Sequence, residues 1–360
     1  GFRDRIQRYT SMKISVISFT EQGKQLASQL RESLKDHEVR IFQKPEEGLI
    51  PWAKKQFENK NALVFVGACG IAVRAIAPFV KDKLTDSPVL VMDEKGQYVI
   101  PILSGHMGGA NELADLIACR MHLIPVITTA TDIHHKFSVD LFAKQNDLHI
   151  INKGGIAKIS AKVLRDESVT ISIDGGSDRI PDETGRIPEG LQIVPYPPQT
   201  AADIVISPKE DVLEQAVLKL KPKEYILGIG CKKGKSKEDI GTMIKKCMEH
   251  LGISVSDIAA VASIDRKKNE TGICQWTSQN RIPFVTFSEE ELRRVKGNFH
   301  SSDFVKQTVG VDNVCERAAL AACGEGGTLV LAKQAENGIT IAAAKRIWTI
   351  KWAGGKHDEA

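Results

Sequence analysis

Short runs of β-branched residues alternate with helical hydrophobic periods from Met12 to about Asp132. This alternation is typical of a mostly parallel sheet that carries helices on both faces. The turn Asp93-Glu94-Lys95-Gly96 predicts one hairpin within it, and therefore a mixed sheet. Strands are predicted at residues 13–19, 39–42, 62–66, 89–92, 98–103 and 125–128, and helices at 22–34, 71–79 and 110–121.

The pattern changes twice further along the chain. Residues 133–222 combine two predicted helices, 138–146 and 156–164, with short strands broken by glycine and proline, which indicates a small linking domain. Alternation resumes at Tyr225, and the Asn337-Gly338 turn predicts a closing hairpin. We predict an α/β protein in which two three-layer α/β domains with mostly parallel sheets are joined by a smaller α+β middle domain. The predicted boundaries are 1–11 for an N-terminal extension, then 12–133, 134–222 and 223–360.

Composition excludes several classes of protein. The chain has 360 residues, 42% of them hydrophobic, which is enough for ordinary packed cores. We expect no signal peptide, because residues 1–11 are polar and carry no apolar core, and no membrane span, because no apolar run approaches the roughly 20 residues that a span needs. A net charge of +4 and 6% aromatic residues argue against nucleic-acid binding. Seven scattered cysteines without a Cys-x-x-Cys pair predict a reducing cytoplasm.

Three corners of the first domain are rich in glycine or threonine, and each follows a predicted strand. They are Gly67-Ala68-Cys69-Gly70, residues 104–111 and Thr128-Thr129-Ala130-Thr131-Asp132. If the strands are parallel, their carboxyl ends share one edge, so we expect the corners to line a common ligand-binding edge. Arg74, one turn into the following helix, could pair there with a carboxylate. The alternative is that the glycines only make tight turns and that Arg74 is solvated.

The second corner, Ser104-Gly105-His106-Met107-Gly108-Gly109-Ala110-Asn111, carries a lone histidine between glycines. A helix beginning near Ala110 would aim its unpaired amides at the same corner, where an anion and an imidazole could meet. His106 is either a general base or a structural histidine hydrogen-bonded to a neighbouring loop. Ser104 could orient His106 or a ligand oxygen, but it lacks the Gly-x-Ser-x-Gly elbow of a serine nucleophile.

The last domain contains a basic loop, residues 228–237, between a predicted strand and a predicted helix. Its lysines beside a helix start predict an anion-attracting patch, with a solvated loop as the alternative. Ser302 would cap a further helix, and Cys315 is expected in the core rather than as a nucleophile. The adjacent His134 and His135 would point in different directions on a regular element, so we predict no metal site in the protein.

Five motifs occur in order along the chain. They are Gly67-Ala68-Cys69-Gly70-Ile71-Ala72-Val73-Arg74-Ala75-Ile76-Ala77-Pro78, Pro101-Ile102-Leu103-Ser104-Gly105-His106-Met107-Gly108-Gly109-Ala110-Asn111, Pro125-Val126-Ile127-Thr128-Thr129-Ala130-Thr131-Asp132, Gly228-Ile229-Gly230-Cys231-Lys232-Lys233-Gly234 and Gly310-Val311-Asp312-Asn313-Val314-Cys315-Glu316. Together they resemble the cobalt-precorrin-5A hydrolase (CbiG) family of anaerobic cobalamin biosynthesis. The resemblance extends from Met12 to about Lys345 and is weakest across the middle domain.

This resemblance implies an enzyme that opens the δ-lactone of cobalt-precorrin-5A and releases acetaldehyde, giving cobalt-precorrin-5B. Cobalt would arrive in the substrate, so no cofactor bound by the protein is expected. We assign the role of general base to His106 and a positioning role to Ser104 or Asp132. The backbone amides of Gly108 and Gly109 would stabilise the developing oxyanion. The predicted substrate-binding residues are Gly67, Gly70, Arg74, Gly108, Gly109, Asn111, Gly230, Lys232, Lys233, Lys235 and Ser302.

The implied partners are the cobalt-tetrapyrrole substrate and, transiently, other enzymes of corrin synthesis, but neither nucleic acid nor a membrane. Two other functions stay open at this point. A non-catalytic tetrapyrrole carrier would share every basic and glycine-rich feature, so only product formation separates it from an enzyme. An enzyme for phosphate-bearing ligands could use the same corners, although the phosphate-loop and dinucleotide patterns are missing. The site lies either within the first domain or between the first and the last.

Overall fold

The computed structural model of the chain describes residues 12–129, 136–181, 187–209, 216–295 and 313–352. These residues form two compact units, the first ending at Leu141 and the second beginning at Phe142. The first unit is built on one sheet and the second on two. The division into four segments derived from the sequence stays a prediction. Within the described ranges, no helix combines the length and the apolar character needed to cross a membrane.

The first unit is built around a six-stranded sheet in the order β2-β1-β3-β4-β5-β6. Strands β1 to β4 are parallel, β5 is antiparallel to β4, and β6 is parallel to β5. The strands are β1 (Lys13–Ser18), β2 (Glu38–Phe42), β3 (Ala62–Val66), β4 (Val89–Met92), β5 (Tyr98–Leu103) and β6 (Ile124–Pro125). The helices are α1 (Glu21–Ser33), α2 (Leu49–Glu58), α3 (Cys69–Ile76) and α4 (Ala110–Met121).

Helices cover both faces of this sheet because its central strands are apolar on both sides. Every residue of β3 is buried. On one face α1 and α4 contribute Leu30 and Ile117 to the core, and on the other α2 and α3 contribute Trp52 and Ala75. The predicted three-layer α/β arrangement is confirmed for this unit.

The hairpin between β4 and β5 reverses the chain direction within the sheet. Gly96 turns with a φ of +66°, and its amide donates to the carbonyl of Asp93 at 3.0 Å. Because β5 and β6 run against β3 and β4, they end at the edge where those strands begin. The corner 104–111 and Thr129 therefore lie at one edge of the sheet, and the Gly67–Gly70 corner lies at the opposite edge. The expectation that all three corners share one edge is wrong.

The second unit contains two five-stranded sheets. In the order β7-β11-β10-β8-β9, only the edge strand β7 is antiparallel to its neighbour. In the order β14-β13-β12-β16-β15, the first three strands are parallel and the last two form an antiparallel hairpin. The strands are β7 (Leu148–Ile150), β8 (Val169–Ile173), β9 (Leu191–Val194), β10 (Ala202–Ile206), β11 (Ala216–Pro222), β12 (Tyr225–Cys231), β13 (Ile258–Ile264), β14 (Phe284–Phe287), β15 (Thr328–Glu336) and β16 (Ile339–Lys345).

Helices pack on both faces of the second of these sheets. The remaining helices of the chain are α5 (Val139–Gln145), α6 (Gly154–Leu164), α7 (Lys237–Leu251), α8 (Thr271–Asn280), α9 (Glu289–Arg294) and α10 (Val314–Cys323). Ile244 of α7 and Trp276 of α8 enter the core on one face of this sheet, and Leu292 of α9 and Ala319 of α10 enter it on the other. The parallel strands β12 and β13 end at one edge, which brings the loops that follow them together.

After β16 the chain returns to the first sheet of the second unit. The ring of Trp352 stacks on Phe142 with centroids 5.3 Å apart and planes inclined by 14°. Asn146 donates to the carbonyl of Lys351 at 2.9 Å and accepts from its amide at 2.8 Å. The segment 346–352 thus ties the last strand of one sheet to the residues that precede the other.

Candidate active site

The loop between β5 and α4 makes a tight corner that requires glycine. Ser104 has a φ of +57°, and Gly109, which caps α4, has a φ of +85°. A Cβ atom on Gly108 would lie 2.4 Å from Cβ of Ser104 and 2.6 Å from its carbonyl oxygen. A Cβ atom on Gly105 would lie 2.7 Å from Oδ1 of Asn111. The loop folds back on itself so closely that positions 105 and 108 have no room for a side chain.

The first amides of α4 are paired within this loop. The amides of Ala110 and Asn111 donate to the carbonyls of Ser104 and Gly105, each at 3.1 Å. The amide of Gly109 donates to the carbonyl of His106, also at 3.1 Å. The expectation that unpaired helix amides face a ligand is therefore wrong for these residues. In this conformation Gly109 cannot also donate its amide hydrogen to an oxyanion.

His106 is anchored by two side chains from the segment that enters α5. Its Nδ1 atom lies 3.3 Å from Oδ1 of Asp140 and 3.2 Å from Oγ of Ser138. Ser138 in turn donates to Oδ1 of Asp140 at 2.6 Å. Both members of the pair are well buried, with side chains 10% and 12% exposed for His106 and Asp140. A buried imidazole beside a carboxylate can take up a proton and have the new charge compensated.

The electrostatics of the site keep Asp140 ionised. Burial raises the pKa of Asp140, but the hydrogen bonds of His106 and Ser138 and the charges of His106 and Lys83 outweigh it, so this pKa lies well below its ordinary value. Nζ of Lys83 lies 3.8 Å from Oδ2. Because an ionised carboxylate only accepts hydrogen bonds, we assign the proton between the two residues to Nδ1 of His106.

Ser104 and Asn111 complete this corner. The hydroxyl of Ser104 is buried and has no hydrogen-bond partner among the described residues. Asn111 donates through Nδ2 to Oγ1 of Thr129 at 3.1 Å, which links the corner to the segment after β6. The structure thus brings together five of the predicted residues at one edge of the sheet: Ser104, His106, Gly108, Gly109 and Asn111.

The first predicted corner is separate from this group. Gly67, Gly70 and Arg74 lie at the opposite edge of the sheet, at the end of β3 and in α3. Nη1 of Arg74 lies 3.4 Å from the carbonyl of Gly70, and its side chain is exposed. Their binding role stays a prediction, but they do not share an edge with His106.

In the second unit, the basic loop after β12 holds a carboxylate of the chain itself. The amide of Gly234 donates to Oε1 of Glu270 at 2.6 Å, and Lys267 donates to Oε2 at 2.9 Å. Burial raises the pKa of Glu270, but the hydrogen bonds from Lys267 and the Gly234 amide lower it by a larger amount. The pKa of Glu270 therefore lies below its ordinary value. The side chains of Lys232 and Lys233 are exposed and stand outside this network.

Other residues near this edge have structural contacts. Lys235 donates to Oδ1 of Asn337 at 3.2 Å. A Cβ atom on Gly230 would lie 2.6 Å from Oγ1 of Thr340, so glycine is needed there for close packing of β12 and β16. Cys315 is 1% exposed, and burial raises its pKa to about 11, as expected of a core thiol.

Some candidates lie outside the described residues. Asp132, Ser302, His134 and His135 belong to this group. The roles of Asp132 and Ser302 stay predictions, as does the expectation that the protein itself holds no metal.

Three residues of the site were not predicted from the sequence: Lys83, Ser138 and Asp140. In the sequence, Ser138-Val139-Asp140 has only the character of a helix start, where serine and aspartate are common. No local signal connects this segment or Lys83 to His106.

Two segments of the chain match families named for cobalamin synthesis. Residues 51–132 match "Cobalamin synthesis G N-terminal" and residues 225–344 match "Cobalamin synthesis G C-terminus". A cobalt-precorrin-5A hydrolase of Salmonella typhimurium is 35% identical over 313 residues, which cover 82% of this chain and 87% of that protein. The chain belongs to the cobalt-precorrin-5A hydrolase (CbiG) family.

A second CbiG-family relative supports this assignment over nearly the whole chain. The cobalt-precorrin-5A hydrolase of Priestia megaterium is 31% identical over 357 residues, covering 92% of this chain and 94% of that protein. Among solved structures, a cobalamin biosynthesis protein G homolog from Sulfolobus solfataricus is 28% identical and matches with a TM-score of 0.42, covering 95% of this chain and 99% of that one. The family resemblance inferred from the five motifs is confirmed.

Proposed function

We propose that this chain opens the δ-lactone of cobalt-precorrin-5A and releases acetaldehyde, giving cobalt-precorrin-5B. The family supports the reaction, since the relatives from S. typhimurium and P. megaterium are both named cobalt-precorrin-5A hydrolase. In this chain the proposal depends above all on one observation, the buried contact of His106 with an ionised Asp140. The pair supplies a proton acceptor at the tight glycine corner after β5.

The reaction has two proton-transfer steps, and His106 is our proposed base for both. In the first, its Nε2 atom takes a proton from water, and the resulting hydroxide adds to the lactone carbonyl. The ester C–O bond then breaks, leaving a carboxylate and a hydroxyl, and the proton on Nε2 passes to solvent so that His106 is again a base. In the second, loss of the hydroxyl proton breaks the adjacent C–C bond. Acetaldehyde leaves, and the electron pair of that bond stays with the tetrapyrrole, which takes up a proton.

Donors to the developing oxyanion complete this proposal. The amide of Gly108 keeps the role we predicted for it, whereas that of Gly109 is paired with His106 and is left out. The buried hydroxyl of Ser104, which has no partner among the described residues, is a second donor for a ligand oxygen. Asp132 retains its predicted positioning role.

Cations supply the proposed contacts to the substrate carboxylates. Lys83 is 61% exposed beside the His106 site, and Lys232 and Lys233 are exposed on the second unit. Arg74 and the glycines at 67, 70 and 230 stay in the proposal as predicted from the sequence. We further propose that cobalt enters only as part of the substrate and that the enzyme works in the cytoplasm, where its seven free cysteines would stay reduced.

The direct test is product formation by the purified chain. Cobalt-precorrin-5A is added, acetaldehyde is measured by enzymatic reduction with NADH, and corrinoid binding is followed separately by absorbance. We expect one acetaldehyde for each corrinoid converted, over many turnovers. Binding without acetaldehyde would contradict the proposal and favour the carrier, which the names of the relatives do not support.

A further inference from the structure

We infer that Asp140 is a positioning residue for His106, held in place by Ser138 and opposed by Lys83. The inference rests on the proposed function only in naming His106 as the base. The contact between the two side chains is a property of the structure itself. No feature of the sequence had marked Asp140 as part of a site.

Three donors converge on one oxygen of Asp140. Oδ1 accepts from Ser138 Oγ at 2.6 Å and from the Leu141 amide at 3.0 Å, and it lies 3.3 Å from Nδ1 of His106. The other oxygen, Oδ2, faces Lys83 at 3.8 Å. With both oxygens engaged and the side chain buried, the carboxylate has little freedom to rotate, so the imidazole ring is held in one orientation.

This arrangement determines what each nitrogen of His106 does. Nδ1 keeps its proton on the Asp140 side, so Nε2 is the atom that exchanges protons with water or substrate. The negative charge of Asp140 stabilises the imidazolium that forms when Nε2 accepts a proton. Lys83 acts in the opposite sense, because its positive charge disfavours that imidazolium. His106 and Lys83 are the charged side chains that lower the pKa of Asp140.

A purely structural role for Asp140 would be to start helix α5. Asp140 lies in the first turn of α5, where a carboxylate stabilises the helix dipole. That role requires no histidine, yet the buried imidazole of His106 contacts Oδ1 of Asp140, the same oxygen that accepts from the Leu141 amide. The two explanations make different predictions for the titration of His106.

The test compares charge variants of the intact, substrate-free chain by NMR of labelled histidine. Asp140→Asn keeps an acceptor for the Leu141 amide but removes the charge, so the pH at which His106 titrates should fall by about one unit or more. Lys83→Met, at an exposed position, should raise the pH at which His106 titrates and should not affect folding. Glu238→Gln, which removes an exposed carboxylate from the first turn of α7, is the matched control and should shift nothing.

Enzyme kinetics provide the second readout. For Asp140→Asn we expect kcat to fall about 100-fold with KM nearly unchanged, and the acid limb of the pH profile to move to lower pH. If His106 titrates at the wild-type pH in both the Asp140→Asn and Lys83→Met variants, the inference is overturned. If the titration shifts as expected but His106→Asn turns over normally, Asp140 still positions His106, and only the proposed base role fails.

Discussion

Nδ1 of His106 and Oδ1 of Asp140 lie 3.3 Å apart, although the two residues belong to different segments of the first unit. His106 comes from the glycine corner after β5, and Asp140 comes from the first turn of α5. The imidazole of His106 therefore already has an ionised partner, Asp140, before any ligand binds. Preorganisation of this kind lowers the cost of moving a proton when substrate binds.

The glycine corner itself can be tested with Gly108→Ala. The added methyl group would collide with Ser104, so we expect a loss of about 1–3 kcal/mol in the free energy of unfolding and a displaced His106 loop with reduced acetaldehyde release. Urea unfolding and the product assay measure the two effects. Gly154→Ala is the control, because a Cβ atom on Gly154 would meet nothing within 4 Å. If both variants behave like the wild type, the close packing described for residue 108 is incorrect.

A second prediction concerns an ion pair of the second unit. Asp203 on β10 accepts from Lys162 on α6 at 2.8 Å and from the amide of Thr170 on β8 at 2.9 Å. Burial raises the pKa of Asp203, but the hydrogen bonds from Lys162 and the Thr170 amide lower it by a larger amount. The pKa of Asp203 therefore lies below its ordinary value. Asp203→Asn should therefore reduce the free energy of unfolding by about 1–3 kcal/mol at pH 7, with activity unchanged below the unfolding transition.

The pH dependence of this effect has a definite sign. A carboxyl whose pKa is lower in the folded than in the unfolded state stabilises the fold above the unfolded value of about 3.9, and this stabilisation is lost as the pH falls further. The difference between wild type and Asp203→Asn should thus be largest near neutrality and shrink below about pH 4. Asp178→Asn, at an exposed position, should be neutral throughout. A difference that grows in acid would contradict the assignment.

The third prediction concerns the exposed lysines of the basic loop. Lys232→Glu combined with Lys233→Glu should raise KM for the carboxylate-rich substrate by about tenfold or more, with little change in kcat. The effect should weaken as salt is added, because exposed charges are screened. Lys158→Glu, on the exposed side of α6, is the control for a change in net charge. Equal KM values for both variants would show that the loop does not bind substrate.

The fourth prediction addresses the segment after β16. Trp352 is 4% exposed and stacks on Phe142, so Trp352→Ala should cost about 3–5 kcal/mol in the free energy of unfolding. Ile347→Ala, in the same segment but at a residue 56% exposed, should change it by less than about 0.5 kcal/mol. Urea titrations of the whole chain measure both. Similar midpoints for the two variants would mean that the stacking contributes little.

Elements with strong local signals were predicted closely. The bounds of α4 are as predicted, and a capping box formed by Ser236 and Asp239 marks the start of α7. Helix α2 was missed because Pro51 lies in its first turn, where proline is tolerated although it usually interrupts helices. Strand β6 was predicted at 125–128 but spans only Ile124–Pro125, since pairing there depends on its neighbour β5 rather than on its own sequence.

The site was harder to predict because it depends on strand direction and tertiary contact. The hairpin at Gly96 was expected, but the corners of the first domain were still placed on one edge, as they would be in a parallel sheet. The antiparallel pairing of β4 with β5 shows that the Gly67–Gly70 corner and the corner 104–111 are on opposite edges of the sheet. Asp140 reaches His106 only through the fold, so a local pattern could identify the histidine but not its partner.

The most direct test of the central claim is single-turnover acetaldehyde release by His106→Asn. The variant should bind cobalt-precorrin-5A with unchanged affinity and release acetaldehyde about 10² to 10⁴ times more slowly than wild type. His122→Asn is the matched control, since His122 is exposed at the other end of α4 and its φ of +58° suits asparagine. Release by His106→Asn at the rate of the wild type and of the control would contradict the claim that His106 is the catalytic base.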